Sequence, residues 1–318
     1  MLKAIPKGMS PSPFLEEEYY VAHNGTAFAR MNLFPTTHNG HLLFIPHDID
    51  KQTPFQMDRQ ELLDTAKLMK QAIGVLKNSL PPDKRPEGYT IGWNIGLAGG
   101  QSIAHSHAHI FGRKKNDNVG AEKPTRGGIV NVLPTNDAFY KSAHALEELS
   151  RDKILMENEL AIAIPSPHPI IENHVLVLPK REIKSYHDLT AEEIAAMIML
   201  SKKWLQEKHG LDIENPGGDK GANIGWNVGE TAGQTYNDSS ALEVIPRVLG
   251  DVEKARGGIA KIIPPADAAY YRGEKTGVKR GADGGFVTGD LEQERVEHYA
   301  LLVNKMRFVW PRRPGLQL

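Results

Sequence analysis

Three histidines at alternate positions, His105, His107 and His109, are the residues best placed for chemistry. Ala104, Ser106, Ala108, Ile110 and Phe111 separate and follow them. Alternation with period two predicts a strand, on which residues i, i+2 and i+4 share a face. Side chains on one face stand about 6.5–7 Å apart. The pattern therefore predicts a row of imidazoles along one side of a strand. Imidazole titrates near neutral pH, and its two nitrogens serve as donor and acceptor. It can attack phosphorus, neutralise charge or move a proton.

Just upstream, Asn94, Gly96, Gly99, Gly100, Gln101 and Ser102 read as a turn of small residues. Backbone N–H groups in such a turn can approach an anion closely. Two other readings compete. Alternating histidines can bind zinc, and they can be hydrogen-bonded residues of a half-buried strand. The glycine turn beside the histidines favours phosphate chemistry, with no metal and no cofactor expected.

The elements that position this stretch repeat. Ile91-Gly92-Trp93-Asn94-x-Gly96 recurs as Ile224-Gly225-Trp226-Asn227-x-Gly229, and Gly100-Gln101 as Gly233-Gln234. His41 and Pro46 recur as His174 and Pro179, all at an offset of 133. Arg126-Gly-Gly-Ile129 recurs as Arg256-Gly-Gly-Ile259 at an offset of 130. A repeat of this length is domain-sized. In the first copy, strands are predicted near Thr26–Arg30, His41–Pro46, Tyr89–Asn94 and Ala104–Phe111. Asp58-x-x-Glu61 is a capping box. Leu62, Ala66, Met69, Ile73, Leu76 and Leu80 then form one helical stripe, stopped by Pro81-Pro82. In the second copy, strands are predicted at Leu160–Ile164, His174–Leu178, Asn223–Val228 and Ala241–Pro246. Thr190-x-x-Glu193 caps a helix that runs to Gly210. The fold class is α+β, each copy an antiparallel sheet with one long helix.

The second copy lacks the histidines. Counted back from Arg247 against Arg113, they become Ser239, Ala241 and Glu243. Counted forward from the glutamine, they become Asp238, Ser240 and Leu242. Neither register restores an imidazole, so the second site is expected to be silent.

The stretch His105-Ser-His107-Ala-His109-Ile-Phe resembles the signature of the histidine-triad (HIT) superfamily. Asn94-x-Gly96-x-x-Gly-Gly100-Gln101-Ser102 looks like the phosphate-gripping segment of its Hint branch. The resemblance implies two tandem HIT-like domains that pair their sheets edge to edge as an intramolecular pseudo-dimer. It implies that His107 attacks the α-phosphorus, its other nitrogen held by a backbone carbonyl of the glycine segment. His105 and His109 would orient it and stabilise phosphoryl charge. Gln101 and Ser102, beside Gly100, would hold phosphate or leaving-group oxygens, and Asn94 the phosphate or leaving-group side. Asn32 falls near the family position that meets the ribose hydroxyls. His41 matches a family histidine but recurs as His174 in the silent copy, and both are read as structural. The implied activity is nucleotide hydrolysis of a phosphoramidate, an adenylylated compound or a dinucleoside polyphosphate. The alternatives are a transferase or phosphorylase related to galactose-1-phosphate uridylyltransferase, and a non-catalytic nucleotide-binding scaffold. The transferase branches typically carry Gln where this chain has His109.

Composition bounds the rest. The chain has 318 residues, net charge −1 and no cysteine. There is no global field for nucleic acid, no thiolate nucleophile and no disulfide. No apolar run is long enough to span a membrane, and residues 1–14 lack a signal-peptide core. The expectation is a cytoplasmic protein, a monomer or a homodimer, with a small-molecule nucleotide as partner. Residues 1–14 are expected as an extended arm, 15–138 as the domain with the site, 139–268 as the degenerate domain and 269–318 as an extension. Arg113, Lys114, Lys115, Lys123 and Arg126 read as a solvated basic loop. Arg-Gly-Gly-Ile reads as part of the fold, because both copies keep it. Asp290 is expected to cap a helix running to about Lys305.

Overall fold

The computed structural model describes residues 3–15, 20–32, 40–78, 82–115, 128–132, 151–234, 239–253, 255–256, 258–259, 279–280 and 286–287. The helix expected from Asp290 lies outside the described residues.

The first copy supplies β1 (Tyr20–His23), β2 (Ala27–Met31), β3 (His41–Pro46), α1 (Arg59–Asn78), β4 (Gly88–Ile95) and β5 (Ala108–Arg113). The second supplies β6 (Met156–Glu157), β7 (Ala161–Pro165), β8 (Val175–Pro179), α2 (Ala191–Trp204), β9 (Lys220–Val228) and β10 (Leu242–Val248). A short ladder, β11 (Lys279–Arg280) with β12 (Phe286–Val287), stands apart. The ten main strands form one sheet in the order β1-β2-β3-β5-β4-β9-β10-β8-β7-β6. Each neighbouring pair among them is antiparallel.

The two halves meet where β4 pairs with β9 over seven residues, with Gly92 opposite Gly225. These glycines are repeat equivalents, so the register is reciprocal: Tyr89 faces Val228, and Ile95 faces Ala222. A Cβ on Gly92 would lie 2.3 Å from the Ile224 carbonyl oxygen, and one on Gly225 would lie 2.0 Å from that of Ile91. Only glycine allows the two central strands to come this close. The pairing also removes an edge that each half would otherwise present to solvent.

Helix starts follow the sequence. Asp58 N–H donates to Glu61 Oε2 at 2.7 Å, and Glu61 N–H donates to Asp58 Oδ1 at 2.9 Å. Thr190 and Glu193 form the same reciprocal cap. Each cap contributes roughly 1 kcal/mol. Beyond α2 the chain makes a wider turn over Leu205–His209 and stops at Gly210, whose φ of +67° is left-handed. Both helices lie on one face of the sheet and touch each other. The core beneath them is continuous: Leu62, Met69, Ile73, Ile194, Met197 and Ile198 pack over Ile91, Trp93, Ile224 and Trp226.

The opposite face carries the remaining clusters. Ile259 of the second copy lies against Gly92, and Ile129 of the first lies against Gly225. Ile259 N–H donates to Asn94 Oδ1 at 2.8 Å, and Ile129 N–H donates to Asn227 Oδ1 at 3.0 Å. The recurring Gly-Ile is thus a reciprocal strap, each copy fastening the other. The basic-loop reading fails at Arg113. It is fully buried and donates from Nη1 to Thr90 Oγ1 at 3.0 Å. Lys123 and Arg126 lie outside the described residues.

Candidate active site

The three histidines converge on the face away from the helices, but not as a strand row. Strand β5 begins at Ala108, so only His109 belongs to it. His105 and His107 sit in the irregular approach to the strand. Ser106 N–H donates to Lys51 O at 2.6 Å. His107 Nδ1 lies 2.7 Å from the carbonyl oxygen of His105, two residues back. This local bond bends the chain out of the extended form. It also brings the His107 and His109 ring centroids to 5.0 Å, closer than strand spacing would place them.

Hydrogen bonds assign most of the protons. A carbonyl only accepts, so His107 carries its proton on Nδ1. Its Nε2 makes no hydrogen bond among the described residues. The carbonyl that holds it belongs to His105, a correction to the expected glycine segment. His105 Nε2 lies 2.9 Å from Pro46 O and must donate there. Its Nδ1 lies 2.8 Å from Ser12 Oγ. His109 Nδ1 lies 3.0 Å from His41 Nε2. His109 Nε2 is buried and has no partner among the described residues.

His41, read as structural from the sequence, lies directly against His109. It sits on β3, one strand from β5, with Leu43 opposite His109, and its ring touches that of His109. Antiparallel pairing of the two strands was the available signal. Its recurrence as His174 pointed the other way.

Burial sets the charge state. It lowers His107 and His105 to about 4, with the Pro46 carbonyl partly opposing the shift at His105. Burial, and then the neighbouring His107 ring, lowers His41 to about 3. His109 falls well below its ordinary value by burial first, then by His107 and His41. At pH 7 all four rings are neutral. His107, 8% exposed, keeps an accessible lone pair on Nε2.

Gln101, Asn94 and Gly100, also predicted for the site, are occupied elsewhere. Gln101 donates from Nε2 to Gln52 O at 2.6 Å and Ile103 O at 2.8 Å, and its Oε1 accepts from Gly96 N–H. It clamps the turn instead of offering an amide to phosphate. Gln234 repeats the clamp on Gly229. Asn94 Oδ1 accepts from Asn223 Nδ2 as well as from Ile259, which commits it to the junction between the copies. Gly100 has φ +86°, and a Cβ there would lie 2.2 Å from Ala255 O. Its N–H bonds Leu97 O, and Gln101 N–H bonds Gly96 O, so these amides do not face an anion. Gly100 lets the chain pass under the second copy's strap. Ser102 accepts from Ser10 N–H through its carbonyl. Asn32 Nδ2 lies 3.2 and 3.1 Å from the two ring nitrogens of His41, so its amide meets that ring. Among the described residues, no three His, Cys, Asp or Glu side chains are grouped to hold a metal ion.

In the second copy, β10 and β8 place Glu243 opposite Leu176, as β5 and β3 place His109 opposite Leu43. Glu243 therefore occupies the position of His109, Ala241 that of His107 and Ser239 that of His105. This is the register counted back from Arg247. Asp238, from the other register, lies outside the described residues. His174 Nε2 meets Glu243 Oε2 at 2.7 Å, and His174 Nδ1 accepts from Ile170 N–H at 3.3 Å.

A family model described as HIT domain matches residues 16–116 and 148–238. An AP-4-A phosphorylase of Mycobacterium tuberculosis is 28% identical over 113 residues, covering 35% of this chain and 55% of that protein. A bis(5'-nucleosyl)-tetraphosphatase (asymmetrical) of Schizosaccharomyces pombe is 27% identical over 133 residues, covering 39% of this chain and 70% of the relative. The chain thus spans about half the length of the phosphorylase. A solved galt-like protein from Arabidopsis thaliana has the same fold, with TM-score 0.52 and 15% identity over 76% of this chain and 83% of that one.

Proposed function

Because this chain belongs to the HIT-domain family, with the domain present twice, we propose that it is a nucleotide-processing enzyme whose nucleophile is His107 Nε2. The observation that carries this reading is the direction of the His107 ring. Nδ1–H is held by a carbonyl, and the opposite nitrogen makes no hydrogen bond among the described residues. The lone pair attacks the phosphorus of a nucleoside 5'-phosphoryl group, forming an N–P bond. The leaving group departs with the electron pair of its bond to phosphorus. The ring gains positive charge, and its Nδ1–H···O bond to His105 strengthens as it does. Water then attacks phosphorus, the N–P electrons return to Nε2, and the proton that water gives up to solvent balances the one the leaving group takes from it. The products are a nucleoside monophosphate and the leaving group.

His109 supports phosphoryl charge. In this reading Asn32 donates to His41 Nδ1 and His41 Nε2–H donates to His109 Nδ1, which puts the remaining proton of the neutral His109 ring on Nε2. His109 Nε2–H is then left as a preorganised donor, the kind of group that stabilises developing charge. Asn32 in this reading holds His41. We assign residues 15–138 to the active domain and 139–268 to the degenerate one, which together act as a pseudo-dimer within a single chain.

The tetraphosphatase relative and the histidine at position 109 favour water as acceptor. The AP-4-A phosphorylase relative favours the second reading, in which inorganic phosphate or a sugar phosphate replaces water. One assay separates them. Adenosine 5'-phosphoramidate, diadenosine tetraphosphate and a UDP-sugar are each incubated with the protein, with and without inorganic phosphate. Hydrolysis predicts monophosphate without added phosphate, and phosphorolysis requires the anion. Rapid quench should trap an acid-labile nucleotidyl-protein. Turnover that needs added metal and stops with a chelator would overturn the covalent reading.

A further inference from the structure

The segment before Phe14 precedes the residues that the family model matches, which begin at 16. It is nevertheless built into the site. Lys3 N–H donates to Asp50 Oδ1 at 2.6 Å, and Gln52 Nε2 donates to Ala4 O at 2.9 Å. Ser10 forms a parallel bridge with Ile103: its N–H donates to Ser102 O at 2.8 Å, and its carbonyl accepts from Ala104 N–H at 2.9 Å. Arg30, buried, donates from Nη1 to Pro13 O at 3.0 Å. These bonds run the arm along the chain that leads into His105.

The arm ends on the imidazoles. The Phe14 ring meets His107 edge-on at 5.0 Å and lies 6.0 Å from His105. Ser12 Oγ reaches His105 Nδ1. The proton in that bond has one placement. His105 Nε2 faces a carbonyl and must carry its own proton, so the neutral ring has only a lone pair at Nδ1. The Ser12 hydroxyl therefore donates, while its oxygen accepts from Phe14 N–H at 3.3 Å.

We propose that Ser12 is a positioning residue of the site: its hydroxyl holds His105 as the Nε2–H tautomer, and so holds in place the His105 carbonyl that aims His107. This deepens the reading of His107 as nucleophile and rests on it. The chain of bonds is short and directed. Ser12 O–H fixes one end of the His105 ring, Pro46 O the other, and the backbone of the same residue carries His107 Nδ1–H. Without the hydroxyl, His105 Nδ1 is left without its donor in a buried pocket, and the ring is free to tilt or to change tautomer. The arm thus supplies the site with a group that lies outside the family's own domain.

The test uses the full chain with Ser12→Ala, Ser12→Thr and Ser10→Ala. Ser10 lies on the same arm, but its side chain is exposed and only its backbone is used. Long-range ¹⁵N–¹H correlation of the histidine rings reports the tautomer of His105. Rapid quench with adenosine 5'-phosphoramidate reports nucleotidylation. The expected result is a single Nε2–H tautomer in the parent chain and a mixture or loss of it in Ser12→Ala. Nucleotidylation in Ser12→Ala slows roughly tenfold, the rate equivalent of about one hydrogen bond, with KM changed less than about twofold. Ser12→Thr restores both readouts, and Ser10→Ala changes neither. An unchanged tautomer in Ser12→Ala overturns the proposal. So does a loss of rate that Ser12→Thr does not rescue. If the phosphoramidate leaves no adduct on any form, the His107 reading fails separately, and the tautomer comparison still decides the role of Ser12.

Discussion

The two halves of the sheet carry the same pair of facing positions, filled differently. In the first, His41 Nε2 meets His109 Nδ1, and the far nitrogen of His109 stays unpartnered among the described residues. In the second, His174 Nε2 meets the Glu243 carboxylate, and His174 Nδ1 accepts from a backbone amide. The second pair is closed, because each His174 nitrogen has a partner within the fold. The first ends in an open nitrogen beside a ring, His107, whose own Nε2 makes no hydrogen bond among the described residues. The difference lies in the side chains at three positions, since strand pairing is equivalent in both copies. Unpaired buried polar atoms occur in both halves, Ser239 Oγ of the second among them, so the contrast lies in the His41–His109 and His174–Glu243 pairs themselves.

The largest effect should come from the nucleophile. His107→Asn is expected to lower turnover on the order of 10⁴-fold or more, while folding and nucleotide binding persist. Ala241→Ser, at the equivalent place in the second half, should leave turnover unchanged. Steady-state rates and adduct trapping check both, and near-parental turnover in His107→Asn would break the contrast.

Next comes His109→Glu, which gives the first half the pairing of the second. His41 would then donate to a carboxylate, and the open N–H would be replaced by negative charge facing phosphate. We expect turnover to fall by roughly 10²–10³-fold, the scale of losing one preorganised donor. Calorimetry on the parent chain should find one nucleoside monophosphate per chain. Two equivalent sites would erase the distinction between the halves.

Stability against pH gives a smaller effect. Folding lowers the values of His41, His105 and His107 to about 3, 4 and 4, while an unfolded histidine titrates near 6.5. Between those values the unfolded chain binds more protons, so stability is full above about pH 6.5 and declines as pH falls toward 4. The loss at pH 5 should be about 2 kcal/mol per ring, visible as a falling Tm. His41→Asn should flatten that decline. An equally steep profile in the variant would place the titrating groups elsewhere.

Glu243→Ala should have the smallest effect. It leaves the buried His174 Nε2–H without an acceptor, at a cost of about 1–3 kcal/mol. Denaturant titration should register that loss with turnover unchanged. A rate effect would mean that the second half contributes to chemistry.

Much of this protein was legible in the chain itself. The offset of 133 predicted a duplicated unit, and the equivalence of Gly92 with Gly225 appears in the structure as direct pairing across β4 and β9. The capping boxes at Asp58 and Thr190 marked both helix starts, because capping is local chemistry within four residues. The alternating histidines marked where imidazoles gather in the fold, since their types and spacing are local too. What only the tertiary structure decided were contacts between segments far apart in sequence. Gln101, Asn94 and Gly100 read as phosphate ligands because their types suit an anion. They proved to be a turn clamp, a junction acceptor and a crossing point, because Gln52, Ile259 and Ala255 arrive from elsewhere to claim them. His41 and Ser12 carried no local signal. Each meets its histidine across a sequence separation of 68 or 93 residues, and no spacing rule along one segment reaches that far. Local pattern specified which side chains could react, and strand pairing with chain crossing decided which of their atoms were left free to do so.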